Sequence, residues 1–287
     1  VCALDFFKNK YINSSFANNQ PGAEELALKI LECLKEHPDI TTIVAALEST
    51  SVYSIHIANY LSSCEELMRF KPYVFVLNPK CTANYKKSYI GLGKSDPIDA
   101  FVIADYARAG NIESEPWRGS QFLALKRLTR HRLHLVECMT REKTYLVSNL
   151  YLKFSELQML EGDDQPFCDI YGATSSSVLM EYLSPEEILV SSEEDLIAFL
   201  AEKSRNRIKD ISKTADLLKK AARDSYRLDK ALYEPLNVSI ASSFNCIETF
   251  KREIKVIDNA IEKEIKGLNP NAFIILQSID GIGPVFA

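Results

Sequence analysis

The length, composition and charge of the sequence place it among globular proteins and exclude several other classes. Its 287 residues, 46% hydrophobic and 25% charged, allow roughly two domains and exclude a disordered or fibrous chain. No apolar run reaches the roughly 18 residues of a membrane span, and no basic-then-apolar leader opens the sequence. We therefore predict a cytoplasmic protein with no membrane partner.

The distribution of charge says more about partners than the net charge of −5 does. Residues 156–200 contain eleven acids and no Lys or Arg, so the rest of the chain is net positive. This segregation leaves room for a surface that binds nucleic acid. The seven cysteines are scattered without a C-x-x-C pair, which predicts reduced thiols and no zinc site.

Short strands and helices alternate over the first part of the chain. Period-2 patterns around Lys8-Asn9-Lys10 predict a β-hairpin, and an amphipathic helix is predicted from Pro21. The apolar run ITTIVAALE predicts a buried strand that ends at Glu48, followed by a helix over 52–68 and a strand PYVFVL. We therefore predict an α/β fold with a mixed sheet.

Long helices are predicted after Trp117, which lies in a polar stretch. They cover about 120–156, 193–233 and 237–266, and their apolar spacing suits antiparallel coiled-coil packing. The predicted domains are 1–116, the α/β domain; 117–267, a helical coiled-coil region with an acidic insert at about 157–192; and 268–287, the start of a C-terminal domain.

Three carboxylates are the candidate catalytic and metal-binding residues. Glu48 follows a strand, at the edge where α/β sheets usually bind ligands. In KSDPIDA, Asp96 suits an N-cap, Pro97 a first helical residue and Asp99 the N3 position, so helix capping alone explains this motif. If the strand and helix are neighbours, however, the three carboxylates converge and suit Mg²⁺ or Mn²⁺.

Two basic stretches are candidate nucleic-acid contacts. The loop NPKCTANYKKS places basic residues and Tyr85 near the acidic motif. A predicted helix carries a second basic run, for which a solvated face is the alternative interpretation. The candidate nucleic-acid-binding residues are Lys80, Lys86, Lys87, Lys126, Arg127, Arg130 and Arg132.

Four stretches, AALESTSVYSIHIANYL, VFVLNPKCTANYKKS, GKSDPIDAFVIADYAR and LQSIDGIGPVFA, together resemble the DEDD-type transposases of insertion sequence family 110, the bridge-RNA-guided recombinases. The resemblance covers nearly the whole chain in order, and K-[ST]-D-x-x-D-A is its most specific element. It implies a RuvC-like, RNase H-type domain, a coiled coil and a C-terminal domain with a serine nucleophile. By this resemblance, Glu48 matches the family's glutamate, and Asp96 and Asp99 match its last two aspartates.

The same resemblance sets expectations for the two ends of the sequence. The family's first aspartate lies on its first strand, in G-[IL]-D-x-[SA]-K, whereas the opening residues here look like the second and third strands. Asp5 is therefore expected to be a hairpin aspartate and not a catalytic one. The family's serine follows the G-I-G-P segment, and this sequence stops at Ala287, so we expect the first strand and the end of the C-terminal domain to be missing.

The function implied by the resemblance is that of a DNA transposase or site-specific recombinase. Its expected cofactor is Mg²⁺ or Mn²⁺, and its expected partners are DNA, a guide RNA and further copies of the chain, as a dimer or higher homo-oligomer. A RuvC-like nuclease that hydrolyses DNA with water is one alternative. An inactive remnant that binds nucleic acid or only oligomerises is another.

Overall fold

A computed structural model describes residues 1–283 and 285 of the chain, which forms two compact units, Val1–Ala124 and Leu125–Ala287. The first unit contains the strands β1 (Cys2–Leu4), β2 (Lys10–Asn13), β3 (Val44–Glu48) and β4 (Tyr73–Leu77), and the helices α1 (Gln20–Glu36), α2 (Tyr53–Ser63), α3 (Glu65–Met68), α4 (Pro79–Lys86) and α5 (Asp96–Arg108). The α/β character predicted for this part of the chain is confirmed.

The strands of the first unit form two small sheets. β1 and β2 pair antiparallel, which confirms the predicted hairpin, and β3 pairs parallel with β4. Among the described residues, no backbone ladder joins these two sheets, so the single mixed sheet that we predicted is not formed. Helix α5 packs against β1 and also against β3. One helix therefore links the hairpin to the parallel pair.

The core of the first unit lies between α1, α2 and the parallel sheet. Leu26, Ala58, Leu67 and Val74 are among its buried residues, because the apolar faces of these elements meet there. Trp117 packs against the same core, and its backbone N–H donates to the carbonyl oxygen of Val74 at 2.6 Å. The residue that we expected to mark a domain boundary thus covers the outer edge of β4.

The second unit is helical. Most of α6 (Ser120–Lys153) belongs to it, followed by two 3-10 turns at Glu156–Gln158 and Gly162–Asp164. Its remaining helices are α7 (Ala173–Glu181), α8 (Pro185–Val190), α9 (Glu193–Ser204), α10 (Ile211–Asp224), α11 (Lys230–Leu268) and α12 (Pro270–Gln277). The predicted domain boundaries stay predictions.

Two predicted long helices are interrupted. The helix predicted over 52–68 breaks at Cys64, whose backbone is extended. The helix predicted over 193–233 breaks after Ser204, where Arg205 and Asn206 have φ values of 52° and 56°, in the left-handed region. Asp210 then caps α10 by accepting from the backbone N–H of Lys213. The same predicted helix breaks again after Asp224, and residues 230–233 belong to α11, so the predicted boundary with the 237–266 helix is wrong. None of these breaks is marked by Gly or Pro in the sequence, the usual signals of a helix end, so the sequence did not reveal them.

The acidic segment, predicted as an insert between helices, is partly folded into the core. Its helices α7 and α8 bury Val178, Leu179 and Ile188. These side chains join Leu146 and Ile240 in one apolar cluster. The acids of the segment lie largely at the surface, so charge and burial are separated between opposite faces of short helices.

Helices α6 and α11 run antiparallel within the second unit. Residues of both helices, including Leu146 and Ile247, share one core cluster. Further along α6, Arg132 forms an ion pair with Asp258 of α11, with Nε 2.5 Å from Oδ1. The coiled coil and the homo-oligomer stay predictions. Pro284, Phe286 and Ala287, which end the predicted third domain, lie outside the described residues, and none of the helices that are described could span a bilayer.

Candidate active site

A pocket of about 310 Å³ in the first unit is lined by Glu48 and Asp99. The end of β3 supplies Glu48, α4 supplies one wall, and the first turns of α5 supply Asp99 and an apolar side. Glu48 is the last residue of its strand, as the sequence predicted. The site therefore lies at the carboxyl end of the parallel pair, where ligands usually bind in α/β sheets.

The Glu48 carboxylate is oriented by a buried threonine that sequence analysis missed. The Oγ1 atom of Thr82, a residue only 3% exposed, lies 2.5 Å from Oε1 of Glu48. Asn78 caps α4 by accepting from the N–H of Lys80, and Pro79 follows it, so the first turn of α4 is fixed and Thr82 faces β3. The sequence signal that could have identified Thr82 is that its segment, NPKCTANYKKS, directly follows the end of a predicted strand.

The two aspartates of KSDPIDA are separated by the structure. Ser95 is the N-cap residue of α5 and Asp96 is its first helical residue, so Asp96 is not the N-cap that we had considered. Asp99 reaches the pocket, whereas Asp96 is exposed and does not line it. In the described residues, no group of three His, Cys, Asp or Glu side chains could hold a metal ion. The structure thus brings together two of the three predicted carboxylates.

A lysine ammonium group lies where a cation would be expected. Nζ of Lys86 is 2.5 Å from Oδ1 of Asp99, and both side chains line the pocket with Glu48. Mg²⁺ commonly uses one or two protein carboxylates and completes its coordination with water and substrate phosphate. The pocket has two such carboxylates and space for water, and one carboxylate already binds a cation, so Glu48 and Asp99 fit a divalent ion.

Asp105 is a buried charged residue that the sequence analysis did not identify. It is 0% exposed and accepts hydrogen bonds from Tyr85 at 2.9 Å, from Arg108 at 2.6 Å and from Tyr89. Lys8 of the hairpin lies 3.2 Å away. Burial raises the pKa of Asp105, but these donors outweigh burial and hold the pKa well below its usual value. Asp105 therefore ties the hairpin, the end of α4 and α5 together.

Asp5 lies in the hairpin turn, as expected, and does not line the pocket. Its carboxylate accepts from the backbone N–H of Asn9 at 2.8 Å, from Asn9 Nδ2 at 2.7 Å and from Tyr11 at 3.1 Å. These bonds close the turn around Lys8, whose φ is 70°. The role of Asp5 in this structure is to hold the hairpin.

The candidate nucleic-acid residues differ in how far they are free to bind. Lys80 and Lys87 are exposed on and after α4, with Lys87 bonded to Asn84, whereas Lys86 is paired with Asp99. On α6, three residues of the predicted basic run are exposed, and the fourth is paired with Asp258. The exposed ones are Lys126, Arg127 and Arg130, and the paired one is Arg132.

A known protein family matches the first part of the chain. The model of the DEDD transposases of insertion sequence family 110, described as a transposase, matches residues 1–155. This range is more than half of the chain and contains Glu48, Asp96, Asp99 and the basic run of α6. No curated protein matches the chain.

Proposed function

Because the chain belongs to the DEDD transposases of insertion sequence family 110, we propose that it is the recombinase of a mobile insertion sequence. In this proposal it cuts and rejoins DNA at a Mg²⁺- or Mn²⁺-dependent acidic site, under the direction of a guide RNA. The observation that carries the proposal is the family match, whose range includes the residues of the pocket. The serine nucleophile implied by the resemblance is assigned to no residue of this chain.

Glu48 and Asp99 would hold the metal in the pocket. A divalent ion bound there would stabilise the attacking and leaving oxygens of a phosphodiester. Thr82 keeps the Glu48 carboxylate oriented towards the pocket, and Asp105 fixes α5 and thereby Asp99. Asp96 lies one turn before Asp99, at the start of the helix. In this proposal, Asp96 would reach the site only when substrate or metal is bound.

The surface charge of each unit supports a nucleic-acid partner. In the first unit, Lys80 and Lys87 are exposed on and just after the helix that walls the pocket. In the second, Lys126, Arg127 and Arg130 form an exposed basic run on α6, and ammonium and guanidinium groups of this kind neutralise phosphates. We assign these five residues to DNA or RNA contacts, and Arg132 to the pairing of α6 with α11.

The proposal is tested by DNA cleavage with the full chain and supercoiled DNA in the presence of Mg²⁺ or Mn²⁺. Glu48→Gln and Asp99→Asn should lower the cleavage rate by about 10- to 100-fold or more, because each removes a metal ligand and even the loss of a residue that supports a ligand costs about 10- to 100-fold. Glu65→Gln, an exposed residue outside the pocket, is the control and should cleave as the parent does. A parent that cleaves, together with Glu48→Gln and Asp99→Asn variants that cleave as fast as the parent, would contradict the acidic site.

RNA guidance has a separate test. If a guide RNA selects the target, treating the purified complex with ribonuclease should abolish site selection while leaving salt-sensitive DNA binding in place. If site selection survives complete removal of RNA, the protein would be a transposase whose target is not selected by an RNA guide.

A further inference from the structure

Lys86 occupies a position that its sequence context does not suggest. It is the last residue of α4, yet its ammonium group turns into the pocket and binds Asp99 of α5. Its side chain is 23% exposed and that of Asp99 is 43% exposed, so the pair lies at the mouth of the pocket. Sequence analysis had placed Lys86 with Lys80 and Lys87 as a phosphate contact.

The ion pair is supported by a rigid frame and is not a free surface contact. Tyr85 immediately precedes Lys86, and its hydroxyl donates to the buried Asp105 of α5. Tyr89 makes a second bond to the same carboxylate. These bonds hold the end of α4 against α5, so the backbones of Lys86 and Asp99 are fixed while the lysine side chain keeps its flexible four-carbon stem.

An ammonium group and a divalent cation compete for the same carboxylate. Both neutralise Asp99, and two cations at one oxygen repel each other. A bound divalent ion would therefore displace Lys86 from Asp99, and the released ammonium group would stay within one side-chain length of the pocket. Because Glu48 and Asp99 would then be occupied by the metal, a strand phosphate brought to the metal is an anion that the ammonium group could neutralise.

We propose that Lys86 is a resident counter-ion of the acidic pocket, which binds Asp99 in the metal-free protein and moves to a DNA phosphate when a divalent cation binds. This inference rests on the proposed function, because it requires that Glu48 and Asp99 hold the metal. It adds an exchange of partners by one lysine, so that metal binding and strand binding are coupled.

The exchange is tested by titrating the full chain with Mn²⁺ in the absence of DNA and measuring the Mn²⁺ affinity by calorimetry. Lys86→Met keeps an unbranched apolar stem but removes the ammonium group, so Mn²⁺ should bind about two- to fivefold more tightly, as expected from the loss of a partly exposed ion pair. The gain should disappear in an Asp99→Asn background. Lys29→Met, which breaks the ion pair with Glu32 elsewhere in the first unit, is the matched control and should leave Mn²⁺ affinity unchanged.

A salt titration of duplex DNA binding tests the second half of the exchange. With Mn²⁺ present, Lys86→Met should lose about 0.9 from the slope of log affinity against log salt, and with chelator present it should lose nothing. Equal Mn²⁺ affinities of Lys86→Met and parent, or a slope that Mn²⁺ does not change, would overturn the inference. If the parent binds Mn²⁺ and this binding depends on Asp99, the inference fails but the proposed function stands. If the parent binds no Mn²⁺, the inference and the proposed function both fail.

Discussion

In the helical unit, Nζ of Lys153 lies 2.8 Å from the backbone carbonyl oxygen of Leu179. Both side chains are buried, and Leu179 lies in the last turn of α7, where helix carbonyls lack partners within the helix. Burial lowers the pKa of Lys153 to about 8, although the nearby Glu187 opposes the shift. The lysine thus satisfies a helix end but carries a charge that the core disfavours.

Replacing Lys153 should change how stability depends on pH. The unfolded chain keeps this proton up to about pH 10.4, whereas the folded chain releases it near pH 8. The unfolded state therefore binds more protons between these values, and the free energy of unfolding rises with pH there. In Lys153→Met this rise should be absent, a difference on the order of 2 kcal/mol between pH 7 and 10.

Urea unfolding followed by circular dichroism at several pH values measures this difference. Lys266→Met, which removes an exposed lysine of α11, should keep the pH dependence of the parent. Parallel curves for the parent and Lys153→Met would show that Lys153 is not a titrating group of the core.

Removing the charge of Asp105 should loosen the first unit. Asp105→Asn leaves Arg108 and Lys8 without their anion, which should cost about 3 kcal/mol. Since the pKa of Asp105 is lowered in the fold, its contribution is present above about pH 4 and is lost as pH falls through the folded value. The difference in the free energy of unfolding between the parent and Asp105→Asn should therefore become smaller at acidic pH.

Trp117 is the only tryptophan and packs on the core of this unit, so its fluorescence reports the unfolding. Asp39→Asn, at an exposed position of the same unit, should have the same free energy of unfolding as the parent. If Asp105→Asn lowers the free energy of unfolding by less than about 1 kcal/mol, the four donors to Asp105 find other partners in the variant.

The ion pair between Arg132 and Asp258 should couple α6 to α11. A double-mutant cycle with Arg132→Ala and Asp258→Ala should give a coupling energy of about 0.5 kcal/mol, because both side chains are partly exposed. The coupling should shrink in high salt. Additive losses at low salt would argue that the two helices do not meet at these residues in solution.

The exposed basic run of α6 should set the salt dependence of DNA binding. Lys126→Ala combined with Arg130→Ala removes two phosphate contacts and should reduce the log–log salt slope by about 1.8, equally on every sequence. Lys255→Ala combined with Lys263→Ala makes the same charge change at exposed positions of α11 and should have a smaller effect. If the two double variants lose the same slope, net charge and not a binding surface explains the affinity.

The positions of many elements follow from the sequence alone. Strand patterns predicted the hairpin and the two strands β3 and β4, though not that these two pair in parallel, and the end of β3 at Glu48 was predicted to the residue. Apolar periodicity located α1, α5, α6 and α11, because the side chains that a helix or strand buries recur at fixed spacing within a few residues. The motif K-S-D-P-I-D-A and its neighbours identified the family that the comparison supports.

The partners of the charged and polar side chains were decided by the tertiary structure. Thr82 and Glu48 are 34 residues apart, Lys8 and Asp105 are 97 apart, and Arg132 and Asp258 are 126 apart. Periodicity assigns a residue to a face, but the group opposite that face depends on how distant elements pack. For this reason the sequence placed Asp96 and Asp99 together, whereas packing brought only Asp99 to the pocket and paired it with Lys86.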